Sequence, residues 1–176
     1  LVAKSRGVQV REVTLFLLGG VSNLASEPKS AKDEFIISAV GPLTSLILAV
    51  ASGVLLVFAG EIPLVASLLF YLSFINLLMA GFNLLPAFPL DGGRVLRSAI
   101  WAATGSLNKA TVLATLSGQG FGLLMIAVGV FEVFNPTLIG RLGGVWIVVI
   151  GGFLYRSALG SRREIVADET KKLTAS

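Results

Sequence analysis

The sequence predicts a membrane protein, mainly α-helical, with four transmembrane helices and a short membrane-associated β-hairpin or strand region near its N-terminus. Three observations predict it. Of 176 residues, 55% are hydrophobic and only 14% charged, with a mean hydropathy of +0.87, against roughly 45–50% apolar and about 25% charged in soluble domains. The apolar residues gather into runs on the scale of a bilayer crossing. The 14 lysines and arginines lie in the gaps between those runs. The same composition excludes a disordered chain, which would be polar and highly charged. The absence of cysteine excludes a disulfide scaffold, a thiolate zinc site and a cysteine nucleophile. The absence of histidine removes the commonest metal ligand and general base from the residues given. The net charge of +4 does not indicate a nucleic-acid partner, because the basic residues form no stripe with interleaved aromatics.

Residues 1–34 are mixed in character. Leu1 to Arg6 reads as the end of a helix closed by Gly7. Val8 to Leu18 is rich in β-branched residues, begins with alternation and stops at Gly19-Gly20, so it reads as a strand. Beside membrane helices such a strand must pair, lie at the interface or line a cavity, since unpaired backbone is costly in lipid. No charged n-region precedes an apolar stretch and cleavage site, so the opening is not a signal peptide. The chain opens at Leu1 within an apparently structured segment, and the expectation is that its upstream part is absent.

Residues 35–159 hold the spans, expected at about 35–59, 63–90, 110–133 and 142–159. Phe35 to Gly60 is 26 residues without a charge, about 39 Å as a helix at ~1.5 Å per residue. Gly41-Pro42 near its start is expected to loosen its first turns. Ile62 to Leu90 is an uncharged run of 29 residues and Ala110 to Phe131 gives 22 more. Leu142 to Tyr155 is only 14 residues and needs Ser157 to Leu159, or a helical neighbour, to bridge the bilayer. Gly118 and Gly122, four apart, suit close helix approach, although ordinary glycine use in membrane helices explains them as well. Residues 160–176 read as a cytoplasmic tail or linker. If the first loop is cytoplasmic, 13 basic residues lie on that side and Arg141 alone on the other. The positive-inside rule then puts both ends in the cytoplasm.

The chemically informative stretch is Asn83-Leu-Leu-Pro86-Ala-Phe-Pro89-Leu-Asp91-Gly92-Gly93-Arg94. Two prolines three residues apart each remove a backbone donor and push the preceding residue out of helical geometry. The glycine pair after Asp91 permits close backbone approach or positive φ. Broken backbone at membrane depth survives only where protein buries it or it lines a wet cavity. Asp91 ends that broken run, about a turn inside the membrane face. A carboxylate held in lipid usually has a partner or a function, and it is a hard oxygen ligand suited to zinc. Asp91 capping a helix that begins at Gly92, with Arg94 as counter-charge, explains it equally well.

This segment resembles the N-x-x-P-x-x-P-L-D-G motif of the site-2 proteases, a family of intramembrane zinc metalloproteases. Leu1 to Gly20 looks like the stretch that follows the family's H-E-x-x-H helix. Gly41-Pro42 matches the glycine-proline opening the family's next span, and Gly143 to Leu154 looks like its last core helix, so the likeness covers about residues 1 to 159. The resemblance implies zinc as cofactor, Asp91 as its third ligand after two histidines, and Asn83 as the amide that holds substrate or the developing oxyanion. Asn83 satisfying backbone freed by Pro86 is the competing reading. The resemblance further implies that Pro86, Pro89, Gly92 and Gly93 shape the motif, and that Glu12 to Gly20, with Thr14 and Phe16, captures substrate as an added strand. The competing reading is a hairpin with packing duties only.

The chain has no H-E-x-x-H, so it does not build this zinc site by itself. Either the motif lies upstream of Leu1 or the chain is a degenerate relative, and the first is expected. The function expected is therefore hydrolysis of peptide bonds within or near membrane segments of substrate proteins, in a bacterial or archaeal cell membrane. A regulatory module beyond the tail is a further expectation drawn from the family. A catalytically inactive scaffold is the first alternative. The second is a small transporter with a midplane site at the broken helix, which would usually show more spans or an internal repeat.

Overall fold

The computed structural model describes the backbone of residues 10–16, 19–24, 28–58, 62–134 and 138–174. The expected helix end at Leu1 to Arg6 lies outside them. Strand β1 (Val10–Phe16) pairs antiparallel with β2 (Gly19–Leu24), with Thr14 opposite Val21, Phe16 opposite Gly19 and an irregularity between Val10 and Glu12. Gly19 and Gly20, expected to end a strand, open the second one.

Five helices follow: α1 (Ala31–Phe58), α2 (Pro63–Asn83), α3 (Asp91–Thr104), α4 (Leu107–Val133) and α5 (Leu138–Thr174). Four stretches are long and apolar enough to cross a membrane, namely Ala31–Phe58, Pro63–Asn83, Leu107–Val133 and Gly140–Ser161. Their outward surfaces are apolar: Val57, Phe58 and Phe134 are each about four-fifths exposed. Such extensive exposed apolar surface needs a lipid solvent, and the chain is a multi-pass integral membrane protein.

Several expectations from the sequence are corrected. Gly41-Pro42 does not loosen α1, which runs unbroken through Pro42. Its start is fixed by Ser30, whose hydroxyl oxygen accepts from the Asp33 amide at 3.1 Å. The second span ends at Asn83 rather than Leu90, because the two prolines and the turn they shape exclude residues 84–90 from helix. The fourth membrane helix is not short. Helix α5 has 37 residues, about 55 Å at ~1.5 Å per residue, and includes the segment expected to be a polar tail.

The helices form two antiparallel hairpins, α1–α2 and α4–α5, with α3 packed between α1 and α4. The first is pinned where the Ser73 hydroxyl donates to the Ala49 carbonyl at 2.8 Å. The second is a glycine zipper. A Cβ at Gly122 would stand 2.8 Å from the Gly151 carbonyl oxygen, and one at Gly129 would stand 2.7 Å from that of Gly144. Seven-residue spacing on both helices brings the two backbones together without intervening side chains. Close approach, and not incidental glycine use, accounts for Gly122.

Neighbouring glycines on α5 should respond oppositely to the same change. A Cβ on Gly144 meets the Gly129 carbonyl oxygen and the Val133 amide at 2.6 Å, whereas one on Gly143 meets nothing within 4 Å. Gly144→Ala should destabilise the detergent-solubilised protein by about 1–3 kcal/mol through overpacking. Gly143→Ala should be neutral or stabilising by up to ~1 kcal/mol through helix propensity. Thermal unfolding of the two variants checks this.

Candidate functional site

Asn83 is the last residue of α2 and Asp91 the first of α3. The seven residues between them form a compact turn whose backbone is largely self-satisfied. Leu84, Leu85, Ala87 and Leu90 donate to the carbonyls of Ala80, Phe82, Leu85 and Ala87 at 3.0, 3.2, 2.7 and 2.9 Å. Pro86 and Pro89 have no amide to satisfy, and the Phe88–Pro89 peptide is cis. Ala87 and Phe88 are buried. This meets the requirement that interrupted backbone in a membrane be enclosed by protein.

Gly92 and Gly93 are part of that enclosure. A Cβ on Gly92 would collide with the Leu84 and Leu85 carbonyls, and one on Gly93 with the backbone of Ala87 and Phe88. The first turn of α3 therefore lies directly on the turn that precedes it. From the other side α4 closes the arrangement. The Ser117 hydroxyl donates to the Pro86 carbonyl at 2.7 Å, and Gly118 leaves room for the Phe88 carbonyl. Ser117 thus satisfies the carbonyl of Pro86 itself, while the Phe82 carbonyl, which the missing Pro86 amide frees, accepts from the Leu85 amide at 3.2 Å. Asn83 itself is half-buried.

Asp91 is half-buried and faces α1, where a Cβ on Gly41 would stand 2.8 Å from its Oδ2. Gly41 is thus the cradle of the carboxylate. Asp91 makes no side-chain cap; Leu90 is the N-cap residue of α3. Its place in the first turn is still favourable, because the helix dipole attracts negative charge there. Helix α3 is not one of the spans.

Farther along the same interface lies an ion pair that sequence reasoning missed. Arg97 Nε donates to Glu34 Oε1 at 2.7 Å, its Nη2 reaches the same oxygen, and Arg94 Nε lies 3.6 Å from it. Glu34 is fully buried and Arg97 is 7% exposed. Arg97, read as a loop charge in the topology count, is instead an interior residue. The faint signal was an acid placed one residue before an uncharged run.

As a donor, Asp91 suits zinc. The count does not: among the described residues no group of three or more His, Cys, Asp or Glu is placed to hold a metal ion. With no histidine or cysteine in the sequence, these residues amount to one ligand and not to a zinc site. Thr14 and Phe16 lie on β1, paired with Val21 and Gly19 of β2.

Residues 61–127 match the sequence profile of Peptidase family M50. The chain is 38% identical over 179 residues to a Synechocystis protein named as a zinc metalloprotease, sll0528, covering 99% of this chain and 46% of that protein. It is 38% identical over 178 residues to the Mycobacterium tuberculosis protein Rip3, named likewise, covering 99% and 44%. A solved structure, the site-2 protease from Methanocaldococcus jannaschii, superimposes with a TM-score of 0.67 at 32% identity, covering 92% of this chain and 68% of that one. The chain spans about half the length of the curated relatives it matches.

Removing the Ser117 hydroxyl should loosen the turn without unfolding the bundle. Ser117→Ala is expected to cost about 1 kcal/mol, and Gly118→Ala more, since a Cβ there meets main chain and not a movable side chain. Hydrogen exchange at residues 84–90, compared with that in α5, checks that the loss is local.

Proposed function

This chain belongs to the site-2 protease family, Peptidase family M50, and from that membership we propose that it is part of an intramembrane zinc metalloendopeptidase that cleaves within or near membrane segments of other proteins. The observation that carries the reading is the Asp91 carboxylate, enclosed by a turn fixed from both sides and set against a glycine that makes room for it. In this reading Asp91 is one ligand of a zinc ion whose other ligands come from an H-E-x-x-H motif outside these 176 residues.

Asn83 is proposed as an amide donor to the oxygen that gains charge as the peptide carbonyl is attacked. Its place at the end of α2, eight residues before Asp91, puts both at the two ends of one short turn. Pro86, Pro89, Gly92 and Gly93 shape that turn. A peptide bond must be extended to be hydrolysed, so a substrate helix has to unwind. We assign its capture to β1, one edge of which pairs with β2 while the other can accept an added strand.

The end that holds the start of α1, helix α3 and the C-terminal part of α5 is proposed to face the cytoplasm, on the positive-inside rule, in a bacterial or archaeal membrane. Residues 1–34 then form the approach to the core, 35–159 the protease core, and 160–176 a cytoplasmic tail or linker.

Zinc content of the purified protein that carries this chain tests the assignment. About one zinc per molecule is expected in the parent, as a catalytic zinc site requires, with loss in Asp91→Ala. Equal metal in both would overturn the role of Asp91. Asn83→Ala should keep its zinc while turnover falls by about 10²–10³-fold. Thr14→Pro or Phe16→Pro should impair cleavage while expression and zinc content hold, and unchanged turnover would remove the strand from the mechanism.

A further inference from the structure

We propose that Glu34 and Arg97 form a register lock between α1 and α3 that fixes where Asp91 comes to rest, making Arg97 a positioning residue for the carboxylate. The two helices run antiparallel, with Glu34 against Arg97 at one point and Gly41 against Asp91 at another. Those points are seven residues apart on α1 and six on α3, about 10 Å on each helix at ~1.5 Å per residue. Gly41 gives the carboxylate room but no attractive group, so it permits the register without selecting it. Selection needs a contact that is costly to break, and a fully buried carboxylate supplies one.

Glu34 is 0% exposed, and two of its hydrogen bonds come from Arg97 through one oxygen. Sliding α3 by one helical turn, about 5.4 Å, would strand that charge away from water. Buried ion pairs add little stability over an apolar pair of similar volume, and setting register is their best-attested use. The second oxygen of Glu34 is buried without a partner, which fits a group retained for specificity more than for stability. Arg97 also reaches the motif itself, its guanidinium carbon lying 5.5 Å from the centre of the Phe88 ring. One side chain thereby ties α1, α3 and the Pro86–Pro89 turn together. The inference deepens the proposed role of Asp91, but its test does not depend on metal.

The chain has no cysteine, so a thiol introduced as Asp91→Cys reports on its own position through its rate of labelling by a maleimide in detergent. In that background Glu34→Leu with Arg97→Met replaces the pair by apolar groups. The thermal midpoint should stay within a few degrees, while labelling at position 91 accelerates about tenfold as the register loosens. A control thiol, Thr111→Cys on the buried face of α4, should label at an unchanged rate. An unchanged rate at position 91, or a parallel rise at position 111, overturns the lock. Should the double variant fail to fold, Arg97→Lys keeps the charge but loses the forked donor. Labelling at position 91 should then rise about threefold, and no rise would again overturn the proposal. Zinc retained in Asp91→Ala together with accelerated labelling would sink the metal role and leave the lock standing. Zinc lost without accelerated labelling would do the reverse.

Discussion

Backbone that is neither helix nor sheet has no water to turn to inside a bilayer, and residues 84–90 are irregular backbone that directly follows a membrane-spanning helix. Every other feature around them follows from that constraint. Two of the seven positions are prolines, which bring no amide to satisfy. Four others donate within or just before the turn, and the Pro86 carbonyl accepts from Ser117 across the helix interface. A helix break that would be unremarkable in a soluble loop is therefore built here from residues with few unmet polar groups. Helices α3 and α4 pack against its centre, where Ala87 and Phe88 are buried.

Closeness on this scale is a matter of missing side chains. In water, helices associate because apolar surface leaves the solvent. In lipid that driving force vanishes, and contact has to come from backbones that approach nearly atom to atom. Gly122, Gly129, Gly144 and Gly151 do this for the second hairpin, and Gly118, Gly92 and Gly93 do it for the turn. Gly41 differs in what it admits. The atom nearest its empty Cβ position is a carboxylate oxygen of Asp91, 2.8 Å away, so the same device that packs helices elsewhere makes room for a charge here.

Much of this was legible in the residues, and the limits of legibility have physical causes. Long uncharged runs reveal spans, because a span is a one-dimensional property of composition. The Asn83–Asp91 segment announced itself because prolines and an acid conflict with an apolar run. Helix ends were less legible. Pro42 looks like a weak point, yet neighbouring helices sustain α1 through it. The 14-residue run near the C-terminus looks too short, yet its helix continues into polar sequence that composition assigns to a tail. Pairings were least legible of all. Nothing local to Arg97 distinguishes it from Arg94 or Lys109, and its burial depends on Glu34, 63 residues away.

The antiparallel course of α3 on α1 fixes the depth at which Asp91 lies. Glu34 sits in the first turn of α1, and Gly41 comes seven residues later, so Asp91 lies about 10 Å farther along α1 than Arg97 at ~1.5 Å rise per residue. A helix laid flat on the membrane face would hold both residues at one level. Helix α3 runs along α1 instead, with its arginines toward the end where α1 begins and its acid beside Gly41. Arg97 is thus buried against Glu34 near the start of α1, and the half-buried Asp91 comes to rest beside Gly41 farther along it. A span ending at Leu90 would have delivered Asp91 at the surface. Stopping α2 at Asn83 and turning back sets the carboxylate against Gly41 of α1, and that is the structural consequence of two prolines three residues apart.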